Sequence, residues 1–199
     1  MMRFAAATCM MALATAAACS ADDHGEAPSG ADSNEAVTTE AAPTQARATL
    51  INRNRDAVGE AIFQQGPVGV LITISMDGLP ESATGFHGSH LHSIADCSNE
   101  DFTSSGGHIN PNGMQHGLLN PEGPDNADMP NIYVHSDGTA RVQIHTTLVS
   151  LDGREGVPSL FDEDGSAIVF HDNPDDHISQ PIGGAGARHV CGVIEAVEG

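Results

Sequence analysis

Val68-Gly69-Val70-Leu71-Ile72-Thr73-Ile74-Ser75-Met76-Asp77-Gly78 is the stretch from which the fold can be read. Val68 to Met76 is rich in Val, Ile and Thr, whose branched side chains pack well on a pleated surface, so it reads as a strand. Asp77-Gly78 ends it, because glycine supplies the positive φ that a tight turn needs. The signature recurs on both sides. Arg47 to Asn52 and Glu60 to Gln64 lie upstream; Ala83 to His92, Ile132 to His135, Thr139 to Leu148, Ala167 to His171 and His189 to Val197 lie downstream. Each is a short run of alternating or continuous apolar character. Asp137-Gly138, Asp152-Gly153 and Asp164-Gly165 are further turn dipeptides. No stretch has helical periodicity. The reading is therefore all-β, an antiparallel sandwich or barrel of about eight strands. One connection is anomalous: Ser93 to Pro130 is too long for a hairpin loop, and long structureless loops in compact domains are usually functional.

Composition bounds the rest. The chain has 199 residues, no Trp, one Tyr and no Lys, and its Arg complement of 7 faces 27 Asp and Glu for a net charge of -20. That balance argues against nucleic acid or an anionic membrane surface as a partner, since both need clustered basic residues. Residues 1–18 read as a signal peptide, with Arg3 before an apolar run too short to span a bilayer. Leu13-Ala14-Thr15-Ala16-Ala17-Ala18-Cys19 resembles a lipobox, which makes Cys19 the candidate for lipid attachment, with ordinary cleavage at an Ala-x-Ala site as the alternative. Residues 19–46 are Ala, Ser, Thr, Glu and Pro with almost no large apolar residue, a disordered tether by composition. His24 in that tether stands beside Asp22 and Asp23, and the reading takes it as part of a solvated tail. Residues 47–199 remain as one globular domain. The expected location is the periplasm or cell envelope, with Cys19 as the only membrane attachment.

Two features of the domain carry chemistry. Cys97 and Cys191 are its only cysteines, and an even pair in an exported protein favours a disulfide over two buried thiols. The second feature is a run of potential metal ligands: His90-Leu91-His92, then His108, His116 and Asp128, and His171 far downstream. Neutral imidazoles are the usual ligands of copper and zinc, so the chain reads as a metalloprotein.

Five motifs then point to one family. Gly85-Phe86-His87-Gly88-Ser89-His90-Leu91-His92, Gly106-Gly107-His108-Ile109-Asn110-Pro111, His116-Gly117, Asp164-Gly165-Ser166-Ala167-Ile168-Val169-Phe170-His171 and Gly183-Gly184-Ala185-Gly186-Ala187-Arg188-His189-Val190-Cys191-Gly192 resemble the copper,zinc superoxide dismutases of bacterial envelopes, over residues 47–199. The resemblance implies an eight-stranded Greek-key β-barrel or sandwich with long metal-binding and active-site loops. It implies copper at His90, His92, His108 and His171, with His108 shared as a bridge to zinc, and zinc at His108, His116, Asp125 and Asp128. Asp175 matches the carboxylate that links a copper histidine to a zinc histidine, here His90 and His116. Arg188 matches the cation of the substrate channel, and Cys97 with Cys191 the family disulfide. The chain departs from the pattern at Asp125, where the family has a histidine; carboxylate oxygen is an acceptable zinc ligand. Ser89 and Ser93 also depart from the family's usual Phe and acidic residue, which predicts looser packing beneath the copper strand. His87, His135, His145, His177 and His189 match no ligand and are read as structural or surface residues.

The implied activity is dismutation of superoxide to dioxygen and hydrogen peroxide by redox-cycling copper. In that scheme His108 takes up a proton on copper reduction and returns it to peroxide on reoxidation, and Arg188 docks the anion. The alternative is a periplasmic copper-binding or buffering protein without turnover, which would not need Arg188. A zinc hydrolase, suggested by His90-x-His92-x-x-x-Asp96, would need helices and a longer chain. The sequence leaves monomer and homodimer open.

Overall fold

A computed structural model describes residues 42 and 44–197. The leader, Cys19, His24 and all but the end of the tether lie outside the described residues. Ten strands run β1 Gln45–Asn52, β2 Ala57–Gly66, β3 Gly69–Met76, β4 Gly85–His87, β5 Ser89–His92, β6 Ile132–Val134, β7 Ala140–Thr146, β8 Ala167–His171, β9 Arg188–Val193 and β10 Glu195–Ala196, with short 3-10 turns at Glu81–Ala83 and Thr103–Ser105. The fold is all-β, as the strand signals predict. Two of the expected segments are each cut in two, at Gly88 and at Ile194, and the first strand begins at Gln45 instead of Arg47. Val68 stands outside the strand it was assigned to: with Pro67 it spans the tip between Gly66 and Gly69, and it is exposed.

All the strands pair antiparallel. The main sheet has the order β5-β8-β9-β1-β2-β3-β7, with β10 on β1, and β4 pairs separately with β6. Non-consecutive neighbours such as β5-β8 and β9-β1 are the mark of a Greek-key path. The cut at Gly88 is where the chain changes partners, from β6 to β8. Glycine is needed there because an added Cβ would come within 2.8 Å of the Ala185 methyl. Asp137-Gly138 makes the tight turn between β6 and β7, closed by the His135 N–H on the Thr139 carbonyl and the Gly138 N–H on the His135 carbonyl, and Gly138 has φ +78.

On β1 and β3, residues of alternate parity face the core: Ala46, Ala48 and Leu50, then Val70, Ile72, Ile74 and Met76. β5 and β8 differ, being buried at every position. Leu91, Ile168 and Phe170 enter the main core, while Ala167 and Val169 face a second cluster with Cys97, Phe102 and Cys191. These strands are thus covered on both faces, one by the sheet and one by the long loop 93–131. That loop also occupies the free edge of β5. Leu91 donates its N–H to Ala127 and accepts one from Ile109, so an edge that would otherwise template aggregation is closed. Ser89, where looser packing was expected, is fully buried and donates its hydroxyl to the Pro130 carbonyl at 2.7 Å, tying the loop's end to the strand.

Candidate metal centre

His90 and His92 stand two apart on β5, so period-two alternation puts both on the loop-covered face. His171 ends β8, the strand paired with β5. Their ligand nitrogens gather within 4.8 Å of one another. In each ring one nitrogen is committed: His92 Nδ1 to the Gly106 carbonyl at 3.0 Å, His171 Nδ1 to the Gly186 carbonyl at 3.0 Å, and His90 Nε2 to Asp175 Oδ2 at 2.9 Å. A nitrogen facing a carbonyl must carry the proton, which leaves the other as a lone pair. Those other nitrogens, His90 Nδ1, His92 Nε2 and His171 Nε2, are buried without a hydrogen-bond partner. Three unpartnered lone pairs aimed at one point are costly unless a cation fills it. Burial, with repulsion from Arg188, holds His92 well below the ordinary imidazole pKa. Burial followed by repulsion from His90 brings His171 down to about 4, so both rings are neutral and ready to ligate.

The loop supplies a second set. His108, His116, Asp125 and Asp128 bring their ligand atoms within 4.8 Å of one another. His116 Nδ1 and Asp128 Oδ1 approach to 2.5 Å without the alignment of a hydrogen bond, as two atoms aimed at a shared cation would. Asp128 Oδ2 accepts the N–H groups of Gly117 at 2.7 Å and Asp125 at 3.0 Å, which fixes its orientation. His108 lies between the sets. Its ring centroid is 4.3 Å from that of His90 and 5.4 Å from that of His116. Its Nδ1 meets Asp125 Oδ2 at 2.8 Å, and its Nε2 is buried and unpartnered.

Asp175 joins the two sets, with Oδ2 on His90 and Oδ1 on His116 Nε2 at 3.1 Å. Burial disfavours its charge, but the bonds from His116 and His90 outweigh that and hold it far below the usual carboxylate range. Reciprocally, burial opposes a charge on His116, while Asp128 and Asp175 push its pKa up to about 10. Gly183 is required for this contact, since a Cβ there would lie 1.6 Å from Asp175 Oδ1.

Both sets open on one cleft of about 590 Å³, lined by His92, His108, His116, Asp125 and His171 and flanked by Arg188. Arg188 is directly opposite His171 across the β8–β9 ladder, at a bulge. Its guanidinium donates to the Phe102 and Gly106 carbonyls, each at 2.6 Å, and to Ser105 Oγ at 3.1 Å. The disulfide between Cys97 and Cys191 holds this part of the loop to β9. Asp96, of the hydrolase pattern, falls outside both sets: its carboxylate accepts the Ser98 N–H in the loop.

Several supports carry no signal in the motifs. Asn131 exchanges two 2.8 Å bonds with the Asp175 backbone, Gln180 brackets the His116 backbone, and Arg55 donates to the Cys97, Ser98 and Asn99 carbonyls while covering the Phe102 ring at 5.4 Å. His87 is a structural residue, as read: it is buried, with its ring nitrogens on the His171 and Ala83 carbonyls. His135 and His145 are exposed, in keeping with the surface reading. Asn110 and Gly107 complete the cleft wall.

Comparison with known proteins gives this arrangement its context. The copper/zinc superoxide dismutase family model matches residues 57–194. The chain is 48% identical over 138 residues to a Cu-Zn superoxide dismutase of Caulobacter vibrioides, covering 69% of this chain and 78% of that protein. It is 46% identical over 151 residues to Cu-Zn superoxide dismutase 2 of Aquifex aeolicus, covering 75% and 86%. The crystal structure of a superoxide dismutase-like protein from Bacillus subtilis superposes with a TM-score of 0.66 at 35% identity, over 73% of this chain and 95% of that one. With the matched span holding both clusters of residues that could hold a metal, one on the sheet and one on the loop, this chain belongs to the copper/zinc superoxide dismutase family.

Proposed function

We propose that His90, His92, His108 and His171 hold the copper of this superoxide dismutase, that His108, His116, Asp125 and Asp128 hold its zinc, and that His108 and Arg188 act on the substrate. The enzyme converts two superoxide anions and two protons to dioxygen and hydrogen peroxide. The observation that carries the residue assignment is a set of buried ring nitrogens without hydrogen-bond partners, His90 Nδ1, His92 Nε2, His108 Nε2 and His171 Nε2, on rings that cluster as His90, His92 and His171 and as His90, His108 and His116. Copper supplies the one-electron chemistry, and zinc an electrostatic anchor for His108.

The protein's own part is positioning and proton handling. Arg188 is pinned by three acceptors on the cleft wall beside His171, so it offers a charge-assisted donor to the anion without first having to order its side chain. His108 lines the same cleft, and its buried, unpartnered Nε2 is the atom that would hold a proton between the two half-reactions and pass it to the reduced oxygen species. Gly106 serves both roles through one carbonyl, which fixes the His92 ring and the Arg188 fork together. That shared support favours turnover over the copper-buffering alternative, for which a positioned cation beside the ligands has no use.

Metal analysis with a superoxide assay tests the assignment. Wild-type protein loaded with both metals should bind one copper and one zinc and dismutate superoxide. His92→Ala and His171→Ala should each abolish activity, because loss of one of four nitrogens opens the redox geometry. Copper binding without dismutation would instead establish the buffering protein. The leader, the candidate lipid site at Cys19 and the disulfide support export to the periplasm or envelope; radiolabelled palmitate on Cys19 would distinguish an anchored from a free protein.

A further inference from the structure

We propose that Asp125 takes over from zinc the task of orienting His108, so that this chain keeps its copper site assembled when zinc is absent. The inference deepens the metal assignment above and rests on it. An imidazole that bridges two metals gives up both ring protons. If zinc is lost, His108 Nδ1 must regain one, and something must accept it or the ring is free to turn.

Asp125 is placed to be that acceptor. Its Oδ2 lies 2.8 Å from His108 Nδ1. Asp128 cannot substitute, since its nearer oxygen is 3.9 Å away and its other oxygen already takes two backbone N–H groups. Asp125 is itself held. It is 3% exposed, and its Oδ1 accepts the Ala127 N–H at 2.9 Å. With the Nδ1 proton committed to a fixed carboxylate, Nε2 is left as a buried lone pair on a ring whose centroid is 4.3 Å from that of His90 and 5.5 Å from that of His92. Ring position and tautomer are then set by the protein alone. A histidine at position 125, as in the family pattern, would offer a neutral and weaker acceptor.

The test uses the full chain stripped by chelator, loaded with copper alone, and checked for zinc by metal analysis. Wild type is compared with Asp125→Asn and Asp125→Ala. Asparagine has one acceptor oxygen for the two N–H groups that Asp125 serves, so it must abandon Ala127 or present its own N–H to His108, which favours the wrong tautomer. The readouts are the number of nitrogens coupled to copper in the electron paramagnetic resonance spectrum, and copper affinity against a competing chelator. Zinc-free wild type should show four nitrogens and retain activity within about threefold of the doubly loaded enzyme. Both variants should show three and bind copper about 10–100-fold more weakly, the usual effect of removing such a supporting group. Three nitrogens in zinc-free wild type, or copper affinity unchanged in the variants, would overturn the proposal. Should a variant lose its fold by circular dichroism, the zinc-free wild-type spectrum alone decides. If the doubly loaded wild type shows no histidine-bound copper, the metal assignment falls, and this inference with it.

Discussion

At the scale of residues, the letters of the two clusters were legible, and Asp175 with them, but the backbone groups that support the rings were not. His90, His92 and His171 come together in one cluster, and His108, His116 and Asp128 in another that also takes in Asp125, which departs from the family pattern. What fixes their rings is mostly backbone: the carbonyls of Gly106 and Gly186 accept from His92 and His171, and a carbonyl has no letter in a sequence. Asp125 yields a direct prediction. A carboxylate holds zinc, but a third imidazole should hold it better, so Asp125→His should slow zinc loss to a chelator and raise Tm through linkage. Unchanged zinc retention and Tm would refute a ligand role. A second prediction concerns the metal-free protein in acid. The folded pKa of His171 is about 4, below the unfolded value of 6.5, chiefly because the ring is buried, and burial lowers His90 and His92 as well. Below pH 6.5 the unfolded chain therefore binds protons that the folded one refuses, and stability is lost as pH falls toward 4. His116 and Asp175 do not offset this. The raised pKa of His116 gives stability that is full below 6.5 and is lost only as pH climbs through about 10, and Asp175, held low, contributes until pH falls below 3.8. Calorimetry between pH 6.5 and 4.5 should show a falling Tm, with His171 alone contributing on the order of 2 kcal/mol. A flat Tm across that window would contradict the burial of neutral imidazoles.

At the scale of elements, strands were readable because branched residues and Asp-Gly turns are local signals, whereas pairing is not local. Nothing in Ala83 to His92 says that the segment changes partners at Gly88, since the reason lies in Ala185, nearly a hundred residues on. The glycines of 183–186 are likewise explained only by what they approach: Gly183 leaves room for Asp175, and Gly186 supplies the carbonyl for His171. The loop 93–131 buries Phe102, Ile109, Ala127 and Met129 but has no strand of its own, and it is stabilised at both ends by outside groups. Arg55 holds the carbonyls at 97–99, Ser89 holds Pro130, and the Cys97–Cys191 bond joins the loop to β9 across 94 residues. Closing so long a loop is worth about 4.7 kcal/mol in the chain-entropy model. Reduction should thus lower Tm and, because Phe102, Ser105 and Gly106 lie just beyond Cys97, loosen Arg188 and His92 together. The check is to compare oxidised and reduced protein by calorimetry and by copper release. Equal release rates would mean that the loop is held by its hydrogen bonds alone.

At the scale of the whole molecule, charge sets how the substrate arrives. Across the full chain 7 Arg face 27 acids, a net charge of -20 before metals. Superoxide is an anion, and enzymes of this kind normally gain rate from an attractive field at the channel. The arginines here are largely spent elsewhere: Arg47 pairs with Glu60, Arg53 with Asp172, Arg141 with Asp77 and Arg154 with Asp152. Among the described residues Arg188 is the one arginine lining the cleft; burial lowers its pKa, while Asp101, which lines the cleft too, opposes that by stabilising the charge and so weakens its pull on an anion. Sequence composition revealed the acidic excess but could not place Asp101, which lines the cleft in a part of the loop that the Cys97–Cys191 bond and Arg188 tie to β9. Salt screens over about 10 Å at 0.1 M, so it should shield the distant acids more than it weakens the short contact between Arg188 and its substrate. The rate per copper should accordingly stay flat or rise slightly between low and moderate ionic strength. Asp101→Asn should raise it at low salt and make it fall as salt is added, as for an attractive channel. Arg188→Glu should cost most of the activity at every salt concentration. A steep fall with salt in the wild type, measured by pulse radiolysis, would show that attraction already dominates at the mouth and that Asp101 does not limit it.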